Sequence, residues 1–203
     1  MHVVEGREGI VVIDPLVSAE TTAAALALYR EHRGDRPVTG LIYTHSHVDH
    51  FGGAKGVLSA EEIESRRIPI LAPAGFLHHA VSENVFAGTT MARRAGYMYG
   101  ALLERGPSGQ IGSGLGQTTS LGTITLIPPN LDVVETGQEE LVDGVRMRLV
   151  EREALNQLLL KTADIGELGQ SGRLRVEGDG IKLGELLGLL DEPDPGFAIV
   201  TPD

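Results

Sequence analysis

Cysteine and tryptophan are both absent from this chain of 203 residues. Without cysteine the protein has no disulfides and no thiolate metal ligands. Aromatic residues make up 4% of the chain and hydrophobic residues 41%, so the core is expected to be aliphatic. No apolar run is long enough to span a bilayer, and residues 1–6 lack the basic and apolar regions of a secretory signal. The sequence predicts no membrane-spanning segment and leaves the compartment open.

Positive charge is also scarce. Lys and Arg together number 17 against 28 Asp and Glu, which gives a net charge of −11. Nucleic-acid binding requires a basic face, so no nucleic-acid partner is expected. The same excess of negative charge offers no attraction to an anionic substrate, except through bound cations.

Metal-ligand residue types are concentrated in one short segment, residues 44–53, here called the histidine loop. It reads THSHVDHFGG, and it contains His45, His47, Asp49 and His50. Imidazole and carboxylate groups bind zinc and similar divalent ions, so this pattern predicts a metal site with room for two ions. Two glycines end the run and are expected to let the backbone pass close to the ions.

The surrounding pattern is that of an α/β protein. Apolar runs at 9–13, 38–43 and 68–71 predict strands, separated by helices that Ser18 and the Ser59–Glu62 capping box begin. The histidine loop therefore follows the second predicted strand, at the end where open α/β sheets place their chemistry. Helix is predicted over 76–103, a loop over 107–122, and strands at 123–127, 133–134 and 145–150. Asp14, which follows the first strand, is either an outer hydrogen-bond partner of the loop or a turn residue before Pro15.

The second half predicts less regular structure. Helices are expected at 152–160, 166–169 and 183–190, and strands at 173–176 and 197–200. His78 and His79 lie in an amphipathic helical stretch and are interpreted as ordinary helix residues rather than metal ligands.

Several segments together resemble the alkylsulfatase family, which belongs to the metallo-β-lactamase superfamily. The resemblance runs from about residue 5 to residue 149, and its most specific segments are 12–21, 44–53, 82–85, 94–100 and 135–139. Residues 152–202 resemble the end of the same family's sterol-carrier-like C-terminal domain. The implied fold class is α/β: a partial metallo-β-lactamase αββα sandwich, residues 1–150, with a small α+β C-terminal remnant, residues 151–203.

The resemblance implies hydrolysis of linear alkyl sulfate esters to alcohol and sulfate at a two-zinc site. His45 and His47 would bind one zinc ion, and Asp49 and His50 the other. The family's three downstream ligands have no recognisable counterpart here, and its helical dimerisation domain is absent, so the oligomeric state stays open. A sheet without its full partner layer is expected to expose an apolar patch and to associate or fold marginally.

Three functional hypotheses follow. The chain is an alkylsulfatase-type zinc hydrolase with an impaired site, a non-catalytic remnant that binds metal weakly, or another hydrolase of the superfamily such as a thioesterase or lactonase. The length of the continuous match disfavours the third. The missing ligands are what separates the first two.

Overall fold

The computed structural model describes residues 1–114, 116, 118, 120–149, 164–172, 185 and 188. The chain divides into two compact units, one formed by Met1–Val133 with Leu141–Arg146 and the other by Val134–Glu140 with Met147–Asp203. None of the described helices is long and apolar enough to cross a membrane.

The first unit is built on a five-stranded mixed sheet in the order β1-β2-β3-β4-β5. Strands β1 and β2 are antiparallel, and the remaining neighbours are parallel. The strands span His2–Glu5 (β1), Ile10–Ile13 (β2), Val38–Ile42 (β3), Ile70–Pro73 (β4) and Leu131–Val133 (β5). This mixed sheet with flanking helices is the arrangement of the metallo-β-lactamase fold, so the predicted fold class is confirmed.

Helices connect the parallel strands, as the alternating pattern predicts. The first, α1 (Ala19–Arg33), begins where the Ser18 side chain accepts a hydrogen bond from the Thr21 amide. A short helix, α2 (Val48–Phe51), lies within the histidine loop, and α3 (Ala60–Arg66) begins at the predicted capping box. After β4 come α4 (Phe76–Val81), a π-helical turn (Ser82–Phe86) and α5 (Gly88–Met98).

The core is aliphatic with a small aromatic group. Side chains of the inner strands, such as Ile10, Leu41 and Ile70, are fully buried and pack with Leu26 of α1 and with residues of the loops. Residues of both alternating sets are buried, since Val11 and Leu71 are also inaccessible to solvent.

The expected apolar patch on the sheet is therefore wrong for the described strands β2–β4. A two-stranded sheet, β6 (Glu139–Val142) with β7 (Val145–Arg148), follows β5. Val142 is 3% exposed and lies beside β3 at Gly40, where an added Cβ would meet its Cγ1 at 2.5 Å. The large exposed apolar side chains lie mostly elsewhere, on the helical stretch and the loop after it: Val85, Phe86, Tyr97, Met98, Leu102, Leu103, Ile111 and Leu121.

Asp143 fastens the β6–β7 turn to the sheet. Its carboxylate accepts hydrogen bonds from the backbone N–H groups of Glu8 and Gly9 and from the Thr39 hydroxyl, at 2.8–3.2 Å. Desolvation acts to raise the pKa of Asp143, but these hydrogen bonds outweigh it and hold the pKa below the ordinary value of 3.8. The turn at residues 143–144 thus also secures the start of β2.

Some predicted elements differ from the structure. Residues 123–127 form no strand. The Thr125 N–H and hydroxyl both donate to the Gly52 carbonyl, and β5 is the strand that pairs with β4. The sequence pattern does not predict strands β1 and β6. In the second unit a helix, α6 (Ile165–Gln170), begins at an Asp164–Glu167 capping box, as expected for residues 166–169. The helix predicted at 152–160 and the strands at 173–176 and 197–200 lie outside the described residues, as does 183–190 apart from 185 and 188.

Candidate metal centre

The histidine loop leaves the sheet at the carboxyl end of β3. His45 lies in a bend between β3 and α2, His47 is the last residue before α2, and Asp49 and His50 lie within α2 itself. His47 is the residue that precedes the helix, and its carbonyl accepts a hydrogen bond from the His50 amide at 3.0 Å. The helical turn folds the run back on itself and brings the three imidazoles together.

The donor atoms of the loop form two close pairs. His45 Nε2 lies 3.0 Å from His47 Nδ1, and His50 Nε2 lies 3.4 Å from Asp49 Oδ2. The ring centroid of His45 is 4.6 Å from that of His47 and 3.9 Å from that of His50. The two pairs are therefore neighbours, and each matches one of the two ligand pairs that the family resemblance implies.

Asp14 lies directly behind the loop. It follows β2 in the left-handed backbone region, with φ of 54°, and is 8% exposed. Its Oδ1 accepts from the Thr44 N–H at 2.8 Å, and its Oδ2 accepts from the Thr44 hydroxyl at 2.7 Å and contacts His50 Nδ1 at 2.9 Å. Because an ionised carboxylate only accepts hydrogen bonds, a neutral His50 has its proton on Nδ1, and the lone pair of its Nε2 is then on the side of Asp49.

Thr44 extends this network to His45. Its hydroxyl proton is donated to Asp14, so the oxygen accepts a hydrogen bond from His45 Nδ1 at 2.9 Å. The proton of a neutral His45 is then on Nδ1, and the lone pair of its Nε2 faces His47. A single buried carboxylate thus sets the orientation of two imidazoles.

Glu83 is a neighbour of the site that the ligand pattern did not reveal. Its Oε1 lies 3.5 Å from His47 Nε2, and its side chain is 25% exposed. Residues 82–85 belong to the segments that resemble the family, but nothing in their spacing pointed to the histidine loop. Only the packing of the π-helical turn next to the loop brings Glu83 there.

An aromatic cluster supports the loop from below. The Tyr43 ring stacks on Phe76 with centroids 4.9 Å apart and meets the edge of Phe51 at 6.4 Å. The Tyr43 hydroxyl donates to the Ile127 carbonyl at 3.1 Å, and burial raises the pKa of this phenol. These side chains fix the residues immediately before and after the ligands.

The two glycines of the loop allow close packing of the backbone. A Cβ on Gly52 would lie 2.2 Å from the Val17 carbonyl oxygen, and one on Gly53 would lie 1.8 Å from Thr22 Oγ1. The Gly53 N–H donates to the Leu16 carbonyl at 3.0 Å. The close approach that these glycines permit is to the segment between β2 and α1.

The donor pairs partly fit a metal. Tetrahedral zinc with bonds of about 2.0–2.1 Å places neighbouring donors roughly 3.3–3.4 Å apart, close to both observed separations. Among the described residues, however, no group of three or more His, Asp or Glu side chains has the arrangement that holds a metal ion. His78 and His79 are exposed on α4 and pair with each other, with ring centroids 5.4 Å apart.

Comparison with known protein families gives two matches. Residues 1–153 match the metallo-beta-lactamase superfamily, and residues 135–202 match the alkyl sulfatase C-terminal family. The superfamily match covers the sheet and the histidine loop.

Individual relatives agree with these matches. The chain is 55% identical over 145 residues to a linear primary-alkylsulfatase and 45% identical over 148 residues to an (R)-specific secondary-alkylsulfatase, both from Pseudomonas sp.. These alignments cover 71% and 72% of the chain but only 22% of each relative. The solved structure of a stereoselective inverting sec-alkylsulfatase from Pseudomonas sp. aligns with a TM-score of 0.65 and 44% identity, over 71% of this chain and 23% of that one.

Proposed function

This chain belongs to the metallo-beta-lactamase superfamily, and we propose that it is a hydrolase of the alkylsulfatase type that acts through metal bound at the histidine loop. The observation that carries the proposal is the pairing of donor atoms, 3.0 Å between His45 and His47 and 3.4 Å between Asp49 and His50. The similarity to linear primary-alkylsulfatase supports linear alkyl sulfate esters as the substrate class.

Zinc is the metal we propose, with His45 and His47 holding one ion and Asp49 and His50 the other. Neutral imidazoles and a carboxylate, with no cysteine, form a donor set suited to zinc. Zinc bound there would supply an activated water molecule and neutralise negative charge on the sulfate oxygens. The net charge of −11 makes such neutralisation necessary for an anionic ester.

The protein groups have separate tasks in this proposal. Asp14 orients His50 directly and His45 through Thr44, so that the Nε2 atoms of both rings are available to metal. The aromatic cluster of Tyr43, Phe51 and Phe76 keeps the backbone of the loop fixed. We also propose that residues 1–150 form the metal-binding domain and that residues 151–203 form a separate C-terminal domain.

A second candidate is a chain that binds metal weakly and does not turn over substrate. It is favoured by the two-donor count for each ion among the described residues, because a catalytic zinc usually has three protein ligands. Since the chain spans about 22% of the length of the relatives it matches, the activity of a whole relative is only proposed for it.

Zinc analysis combined with an ester assay distinguishes the two. The zinc content of the dialysed protein is measured after incubation with zinc, and sulfate release is followed with dodecyl sulfate below its micelle concentration. Zinc bound with turnover supports the hydrolase, and zinc bound without turnover supports the second candidate. His47→Ala is expected to abolish both signals, while His78→Ala, which removes an exposed histidine outside the loop, is expected to change neither. Zinc content that His47→Ala leaves unchanged would contradict the proposed site.

A further inference from the structure

Residues 121–127 lie against the histidine loop without forming a strand, and hydrogen bonds hold this segment near both of its ends. The Thr123 N–H and hydroxyl donate to the two oxygens of the Glu20 carboxylate, at 2.8 and 2.6 Å. At the other end, the Ile127 carbonyl accepts from the Tyr43 hydroxyl at 3.1 Å. The segment therefore joins the first turn of α1 to the aromatic cluster that supports the loop.

Thr125, in the middle of this segment, makes three hydrogen bonds at the point where α2 ends. Its N–H and its hydroxyl donate to the Gly52 carbonyl at 2.7 and 2.8 Å, and its hydroxyl oxygen accepts from the Lys55 N–H at 3.1 Å. Gly52 is the buried residue that ends α2, and Lys55 lies in the 3₁₀ turn that follows, Ala54–Gly56. A helix leaves the carbonyl groups of its last turn without partners, and buried ones need a partner from elsewhere. Thr125 supplies that partner and links α2 to the next turn.

Helix α2 depends on such outside contacts because it is four residues long. A single helical turn forms few hydrogen bonds for the conformational entropy that it loses, so it does not persist in water by itself. This turn nevertheless carries Asp49 and His50, which form one of the two donor pairs. Asp14 contacts the His50 ring, whereas Thr125 holds the end of the backbone that carries both donors.

We propose that Thr125 is a positioning residue of the metal centre, whose hydroxyl holds the end of α2 and so keeps Asp49 and His50 in place to bind metal. The part of this inference that concerns metal rests on the proposed function. The part that concerns α2 rests on the hydrogen bonds of Thr125 alone. The two parts are therefore tested separately.

The first experiment measures amide hydrogen exchange in the metal-free chain. Thr125→Val keeps the size of the side chain but removes the hydroxyl, and Thr125→Ser keeps the hydroxyl. The informative amides are Lys55, which donates to Thr125, and Gly52, which closes α2 by donating to the Val48 carbonyl at 2.8 Å.

Both amides are expected to exchange about 2–10-fold faster in Thr125→Val, the change that corresponds to the usual net value of one hydrogen bond. Thr125→Ser is expected to exchange like the wild type. Unchanged exchange in Thr125→Val, or equal acceleration in both variants, would overturn the proposal whether or not the chain binds zinc.

The second experiment is a zinc titration of the same variants by calorimetry. Thr39→Val is the matched control, because Thr39 is also a half-buried threonine whose hydroxyl lies within hydrogen-bond distance of the Ile10 carbonyl and the Asp143 carboxylate. It lies near the start of β3, at the opposite end of that strand from the histidine loop.

Thr125→Val is expected to bind zinc about 10-fold more weakly than the wild type, the lower end of the loss seen when an outer partner of a metal ligand is removed. Thr125→Ser and Thr39→Val are expected to bind like the wild type. If Thr125→Val keeps the wild-type affinity, or if Thr39→Val weakens zinc binding equally, the positioning role is refuted. A wild type that binds no zinc would overturn the proposed function, and the exchange rates would then decide whether Thr125 holds α2.

Discussion

Substituting Asp14 by asparagine replaces one oxygen by nitrogen at the centre of the network behind the histidine loop. The side chain keeps its shape, and asparagine tolerates the left-handed backbone at φ of 54°. Its remaining oxygen can still accept from the Thr44 N–H. Its NH2 group, however, faces the Thr44 hydroxyl and His50 Nδ1, which both donated to the carboxylate.

The expected cost in stability is small because both partners can adjust. The Thr44 hydroxyl can rotate, and His50 can move its proton from Nδ1 to Nε2 and accept from the new amide. We expect the free energy of unfolding to fall by about 1 kcal/mol, the usual net value of one hydrogen bond. In Asp14→Ala the Thr44 N–H, the Thr44 hydroxyl and His50 Nδ1 lose their acceptor. Because Thr44 and His50 are partly exposed, water can replace some of these hydrogen bonds. A loss of about 3 kcal/mol is expected there.

The effect on metal should be much larger than the effect on folding. A His50 that carries its proton on Nε2 no longer directs a lone pair toward Asp49, so zinc affinity is expected to fall by about 10–100-fold in both variants. Urea unfolding without metal measures the first quantity, and calorimetric zinc titration the second.

Asp143→Asn is the matched control for this experiment. Asp143 is also a carboxylate at positive φ that accepts several hydrogen bonds, but its partners are Glu8, Gly9 and Thr39 rather than the histidine loop. It should lower stability without changing zinc affinity. If Asp14→Asn binds zinc as tightly as the wild type, or if Asp143→Asn weakens zinc equally, the orienting role of Asp14 is refuted.

Three further predictions concern packing, acid stability and metal affinity. Gly53→Ala should destabilise the chain by about 3 kcal/mol, because its Cβ would collide with Thr22. Gly96→Ala should stabilise the chain by about 0.5–1 kcal/mol, because an added Cβ in the middle of α5 would meet no other atom. Urea unfolding that finds Gly53→Ala as stable as Gly96→Ala, or more stable, would contradict the packing argument. Since its pKa is lowered in the folded state, Asp143 should stabilise the protein above about pH 4 and lose this contribution as the pH falls through its folded-state pKa. In the acid range, the unfolding free energy of Asp143→Asn should therefore depend less on pH than that of the wild type. If the two proteins show parallel curves of unfolding free energy against pH, this role of Asp143 is contradicted. Zinc should bind more weakly than to a whole linear primary-alkylsulfatase, and two tight stoichiometric sites in calorimetry would mean that further ligands exist in this chain.

The local parts of the fold could be read from the sequence because their causes are local. The capping box from Ser59 to Glu62 forms as its spacing predicts, and the buried run of β3 precedes the histidine loop as its apolar pattern predicts. Strand β1, in contrast, alternates only weakly in burial and lies at the edge of the sheet, so its sequence carries little periodic signal. Residues 123–127 have the composition of a strand, yet hydrogen bonds to the histidine loop take the place of a sheet partner.

The sequence by itself determined which residues of this protein are suited to hold metal. The donors His45, His47, Asp49 and His50 lie within six positions, so a single loop brings them together whatever the rest of the chain does. Tertiary structure alone decided which side chains contact this loop from other parts of the chain. Asp14 meets Thr44 across 30 residues, and Glu83 reaches His47 across the intervening strand and helices. Such partners depend on the parallel pairing of β2 with β3 and on a π turn after α4, and no local spacing encodes a contact between segments that meet only when the sheet forms.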